Sequence, residues 1–435
     1  MAEPGSGVTP NAGRGRGGSF PPALAVPAYR WYWASQLVSG IGTWAQTLAQ
    51  AWLVLQLTNN SAVALGTVTT LQFLPMLVFP LLGGVIADRL PRRKLLITTQ
   101  VGAMLQALAL GVLVASGHVL YWEVGAMALI LGLTNAFGMP AQQALVPEIV
   151  GRELVGNAVA VNSVQFNVAR LLGSGLGGVL VAIFGVGPTL LLNAASFLPA
   201  IVVLVVLRPA HARPPRSREG ADAQQGGIGS EIGAGLRYAL GTRRIRRILA
   251  LFGIVGLLGF NWSVATPLLT VALGTGPEGL GALQAAFGLG SLAAGIALMR
   301  SRGATERRFL VGGFGLGAVL VALGLSPWHG ASVALMLLGG LTGVTASVSA
   351  NTRLQMASTD AYRGRVMSLF TLLMGGTTPI GALLLGGIAQ AWGIQTGLII
   401  FGWAVIAGLV AVLLLDRAPT TAVAADAPSS SPSVG

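Results

Sequence analysis

The chain has no cysteine. Disulfides and thiolate metal sites are therefore excluded. Charge is also scarce. Only 9% of the 435 residues are Asp, Glu, Lys or Arg, against about a quarter in an ordinary soluble domain. Acids are scarcer still, 13 against 26 Lys and Arg, for a net charge of +13. No glycine-rich loop ending in Gly-Lys-Ser or Gly-Lys-Thr occurs, which argues against ATP hydrolysis by this chain. Its three histidines, His118, His211 and His329, fall in expected loops and receive no role. The expectation is a protein that is not an enzyme and holds no metal or other cofactor.

What is present is apolar and small. Hydrophobic residues make up 53% of the chain, and 63 residues are glycine; small residues let membrane helices approach closely. Apolar runs of about 18 or more residues with at most one charge read as membrane spans. They fall at 32–57, 62–87, 95–117, 121–146, 155–184, 189–207, 248–273, 278–299, 309–326, 331–356, 366–392 and 396–415. The fold class predicted is an all-α membrane protein of twelve transmembrane helices in two pseudo-symmetric six-helix bundles. Residues 1–28 and 417–435, rich in Gly, Pro, Ala and Ser, read as disordered tails.

The charges lie on one side of this map. The second span ends in Asp88-Arg89-Leu90-Pro91-Arg92-Arg93-Lys94, a short basic hairpin of the kind retained in the cytoplasm. Arg152, the nine Arg from Arg208 to Arg247, Arg300, Arg302, Arg307, Arg308, Arg363, Arg365 and Arg417 all fall in even-numbered loops or the tail. None falls in an outward loop. The pattern places the chain in the cytoplasmic membrane with both termini in the cytoplasm. It also accounts for the basic charge through the bilayer, with no nucleic-acid partner.

The basic stretch 208–247 divides the spans into bundles 29–207 and 248–416. Its second part, 231–247, reads as an amphipathic helix on the membrane surface, with Ile232, Leu236, Leu240 and Ile245 towards lipid. A shift of 208 residues lays Gly132-Leu133-Thr134 on Gly340-Leu341-Thr342, Gly173 on Gly381, Gly178 on Gly386, and Phe184-Gly185 on Trp392-Gly393. Parallel repeated halves suggest a transporter whose substrate site lies at the repeat interface near mid-membrane.

Several stretches resemble the major facilitator superfamily. Gly84-x-x-x-Asp88-Arg89-x-x-Arg92-Arg93 resembles its signature between helices 2 and 3. Three others are similar to drug and siderophore exporters related to enterobactin and macrolide exporters. These are Met139-Pro140-Ala141 with Leu145-Val146-Pro147-Glu148, Asn167-x-Ala169-Arg170-x-x-Gly173, and Asn351-Thr352-Arg353-Leu354-Gln355 with Tyr362-Arg363-Gly364-Arg365. The resemblance implies a monomeric secondary exporter of small amphipathic molecules, working by alternating access and coupled to inward proton flow. It implies a gate at Gly84, Asp88, Arg89, Arg92 and Arg93, the carboxylate meeting the start of helix 11. Pro91 stands where the signature has Gly, Ser174 where antiporters have Pro, and Thr43 where this branch often has an acid. The last removes the obvious proton carrier.

Residues inside the spans supply the rest of the candidate site. Arg170 is a charge within the bilayer, which is costly unless it is partnered or faces water; conformational coupling or a structural hydrogen-bonded role are its two readings. Arg353 either shares the coupling role or snorkels to water. Thr43, Gln46, Thr47 and Gln50 recur at helical spacing on span 1. With Asn135, Gln142, Asn261 and Trp262 they are the candidate lining of a substrate cavity, each also able to serve as an interhelical hydrogen bond. Glu123 and Glu278 open spans 4 and 8, where acids favour a helix N-terminus. The alternatives within and beyond transport are a siderophore exporter and a non-transporting membrane sensor or assembly subunit on the same fold.

Overall fold

The computed structural model describes residues 21–79, 91–207, 228–300 and 305–416. Every regular element among them is helical. The first six rods are α1 (Pro27–Leu57), α2 (Ala62–Val78), α3 (Arg92–Ala115), α4 (Tyr121–Val150), α5 (Val155–Phe184) and α6 (Val186–Val206). A short helix, α7 (Ile228–Gly241), precedes the second six. These are α8 (Arg243–Ile254) continued by α9 (Trp262–Ala272), then α10 (Pro277–Met299), α11 (Glu306–Leu325) and α12 (His329–Ala357). The last two are α13 (Asp360–Thr371) continued by α14 (Thr378–Trp392), and α15 (Ile394–Leu415).

Ten helices among the described residues are long and apolar enough to cross a membrane. α1 spans 31 residues but carries four glutamines, Gln36, Gln46, Gln50 and Gln56, and is more polar than these ten. α2 is a shorter apolar helix, and the remainder of its expected span, 80–87, lies outside the described residues.

Contacts repeat between the two sets of helices. α1 packs on α5 and α6, α3 on α4 and α6, and α2 on α4; α10 packs on α12, and α11 on α12 and α15. Two main contacts join the sets, α5 with α10 and α2 with α14. The glycines of the 208-residue repeat sit at these crossings. A side chain on Gly132 or Gly340 would collide with the carbonyl of Gln72 or Phe287, in α2 and α10. One on Gly173 or Gly381 would strike the carbonyl of Ile41 or Leu257, in α1 and the rod of α8. Gly178 and Gly386 make the joining contacts, against Pro277–Gly281 and Ala62–Gly66. Gly185 and Gly393, also in register, both have φ +83°, a left-handed joint that glycine adopts without strain. At the end away from the basic loops, Gln390 Oε1 accepts from Ala62 N at 2.9 Å and Ser61 Oγ at 3.1 Å. It thereby caps α2 from the opposite set.

Two features depart from expectation. The helix expected over 231–247 ends at Gly241, and the chain breaks at Thr242 (ψ 103°) before α8 begins. Ile245 is buried in the core rather than turned to lipid, because the arginines around it belong to the first turns of a spanning rod. The rods of α8–α9 and α13–α14 also each contain a π-helical turn, Val255–Gly259 and Leu372–Gly376. Such turns often mark functional sites, and these two touch each other.

Candidate functional site

Helix α1 distributes its polar residues rather than presenting them on one surface. Gln46 is fully buried: its amide donates to Gln106 Oε1 at 2.9 Å, and Asn193 donates to its carbonyl at 2.5 Å. This ties α1 to α3 and α6, and Gln46 lines neither cavity described below. Asn261 is likewise buried, donating to Leu257 O at 2.7 Å just past the π turn. It repairs a broken helix, and it too lines neither cavity.

The remaining candidates divide between two cavities. One, of about 350 Å³, lies within the first six helices and takes Thr43, Asn135 and Gln142. It is rich in amides, with Gln100 donating to Gln36 at 3.0 Å across it. The other, of about 210 Å³, takes Thr47, Gln50 and Trp262. It is enclosed by both sets of helices: Thr69 and Gln72 of α2 and Arg170 of α5 face Gln284 and Phe287 of α10, Met336 of α12 and Thr378 of α14. Gln50 donates to Gln72 at 3.3 Å. Trp44 lines both cavities, so one indole separates them. Among the described residues, no Asp or Glu lines either.

Arg170 lies at the seam. Its guanidinium carbon sits 4.2 Å from the ring centre of Phe287 and 5.5 Å from that of Trp44. Phe287 in turn packs at 5.1 Å on Trp262. A cation between aromatic faces is held by the ring quadrupoles, and here the rings come from both sets of helices. Trp44 and Phe287 carried no obvious signal in the sequence, since single aromatics in an apolar helix are ordinary.

The charged end is organised differently from expectation. Gly84, Asp88 and Arg89 lie outside the described residues. Arg92 bonds Glu148 Oε1 at 2.5 Å and Ala144 O at 3.3 Å, both on α4. Arg93 donates to the carbonyls of Leu204 and Val205, at the C-terminal end of α6, where a cation meets the negative end of the helix. Both arginines are thus engaged inside the first set of helices. Arg353 pairs with Glu306 at 2.9 Å, so it is neither snorkelling nor unpaired. Glu306 belongs to a chain of ion pairs, Arg353–Glu306–Arg247–Asp416–Arg243, with contacts of 2.7 to 3.0 Å. The hydrogen bond from Arg243 and its positive charge hold the Asp416 carboxyl below the usual carboxylate range. Glu123 accepts from Leu120 N at 2.9 Å, a capping contact.

The family described as transmembrane secretion effector matches residues 18–433. The chain belongs to this family of the major facilitator superfamily. It is 31% identical to the multidrug efflux pump Tap of Mycolicibacterium fortuitum over 50% of this chain and 53% of that protein. Identity is 27% to the staphyloferrin A transporter of Staphylococcus aureus, over 41% and 45% of the two chains. It is 29% to the enterobactin exporter EntS of Citrobacter koseri, over 44% and 46%. The matched region thus spans about half the length of these relatives. The fold resembles the nucleoside transporter NupG (TM-score 0.67, 12% identity, 88% of this chain and 99% of that one). It also resembles a bacterial homologue of the iron transporter ferroportin in its inward-facing state (TM-score 0.67, 15% identity, 90% and 99%). The family and the apolar helices make this a multi-pass membrane protein.

Proposed function

We propose that this protein is a secondary transporter that exports small amphipathic compounds across the cytoplasmic membrane by alternating access, with both termini in the cytoplasm and a monomer as the working unit. The observation that carries the reading is the 210 Å³ cavity enclosed by both sets of helices. A cavity shared in this way opens to one side or the other when bundles 29–207 and 248–416 rock about their two joining contacts. The segment 208–247 links them in sequence. An efflux pump for drugs and an exporter of enterobactin among the relatives support the outward direction.

Inward proton flow is the proposed driving force. Neither cavity holds an acid, so the proton carrier belongs elsewhere. The gating role of Gly84, Asp88 and Arg89 rests on the sequence signature; Arg92 and Arg93 support it by anchoring the hairpin to α4 and α6. The test is extrusion of a panel of dyes and drugs from an efflux-deficient host. Extrusion above the empty-vector control is expected, and it should collapse when the proton gradient is dissipated at constant ATP. No extrusion across the panel would overturn export, and persistence without the gradient would overturn proton coupling alone.

A further inference from the structure

A guanidinium in the membrane interior is expensive to leave without a counter-charge. Arg170 is partly buried, lines the central cavity, and makes no ion pair or hydrogen bond among the described residues. Its guanidinium lies against two ring faces. Around it the cavity offers more donors. The indole N–H of Trp262 is buried without a partner, and Ser263 and Thr378 add hydroxyls. An excess of donors beside a fixed cation, with no carboxylate on the lining, is the chemistry of an anion site.

The rest of the lining describes what the anion is attached to. Trp44, Phe260, Trp262 and Phe287 supply flat apolar surfaces, and Met336 and Met374 supply adaptable ones. The amides of Gln50, Gln72 and Gln284 are neutral and can meet hydroxyl or carbonyl groups.

We propose that the cargo of the central cavity is an acidic aromatic compound, carried as its anion, with Arg170 as its counter-ion and Trp44, Trp262 and Phe287 as the bed for its rings. This rests on the transporter reading above and names the substrate class of that site. It also explains why Arg170 tolerates its place: the π faces that hold it are weaker partners than a carboxylate and give way to one. Because Phe287 belongs to the second set of helices and Arg170 to the first, cargo that draws Arg170 off Phe287 acts on the contact between them.

The test uses the full chain in lipid nanodiscs and three probes of one shape: 4-biphenylcarboxylate, its primary amide, and biphenyl-4-methylammonium. Binding is read by equilibrium dialysis. The carboxylate should bind about ten- to a hundredfold more tightly than the amide, the gain of a charge-assisted hydrogen bond, and the ammonium should bind least. Arg170→Gln should abolish the preference, bringing carboxylate and amide to the same level of binding. Arg170→Lys should keep a preference for the acid, and Phe287→Leu should weaken acid and amide alike. Equal binding of acid and amide by the unaltered protein, no binding of either, or a preference that survives Arg170→Gln would overturn the proposal. Should Arg170→Gln fail to give a monodisperse protein, the unaltered protein and Arg170→Lys still decide. Extrusion of neutral or cationic dyes without acid preference would sink this assignment and leave export standing. Acid preference without any extrusion would sink export and leave the site standing.

Discussion

Gln46 and Thr47 are neighbours in the chain with opposite duties. Successive residues of an α-helix are turned about 100° apart, so a polar stripe of four residues is broad enough to face two neighbours. Gln46 lies on the edge that meets α3 and α6, while Thr47 and Gln50 lie on the edge that meets the central cavity. Spacing identified the stripe but had no way to orient it. Replacing Gln46 with Leu should orphan Gln106 and Asn193 and lower stability by about 1 kcal/mol, in the range of interhelical hydrogen bonds in membranes. A detergent melting curve measures this. Substrate preference should stay as it is, whereas Gln50→Leu should change the apparent KM with little change in melting temperature. The reverse outcome would return Gln46 to the cavity.

Helix pairs at the charged end show a similar inversion. α3 begins with Arg92, paired to Glu148 at the end of α4; α11 begins with Glu306, paired to Arg353 near the end of α12. The two sets of helices thus use one kind of joint with the signs exchanged. Residue identity at a shift of 208 does not show this, because the geometry is kept while the residues are not. The glycines at the crossings, whose role is the absence of a side chain, keep their identity in both copies. Arg92→Glu should place two acids together and lower stability by about 2 kcal/mol, between exposed and buried pairs. The double exchange Arg92→Glu with Glu148→Arg should recover most of that, read by thermal unfolding. Failure of the double variant to improve on the single one would show that the joint depends on Arg92 capping Ala144 rather than on charge.

Across the molecule, Asp416 at the end of α15 is tied to Arg243 and Arg247 at the start of α8, joining the last rod to the first rod of its set. Its folded carboxyl titrates below the ordinary value of 3.8. A depressed carboxylate stabilises the fold above the unfolded value and loses that contribution as pH falls through the folded one. This joint should therefore be fully present at pH 7 and weaken only below about pH 4. Asp416→Asn should flatten that acid limb, and melting curves between pH 3 and pH 7 would show it. An unchanged acid limb in Asp416→Asn would assign it to other carboxylates.

The amino-acid sequence by itself determined that the chain enters a membrane and that its family signatures fall at helix ends, because apolar length and motif spacing are properties of the chain alone. It also marked the crossings of the rods, because a glycine at a helix crossing is set by the lack of a Cβ. Tertiary structure alone decided which polar residues meet in a cavity and which meet each other. That choice depends on the rotation of each helix about its own axis and on partners more than a hundred residues away, as with Asn193 and Gln46. It also decided that Arg170 lies between rings from both sets of helices with no carboxylate beside it. A lone arginine in an apolar stretch reads equally as a strut or a site, and its surroundings, not its identity, make it a site for an anion.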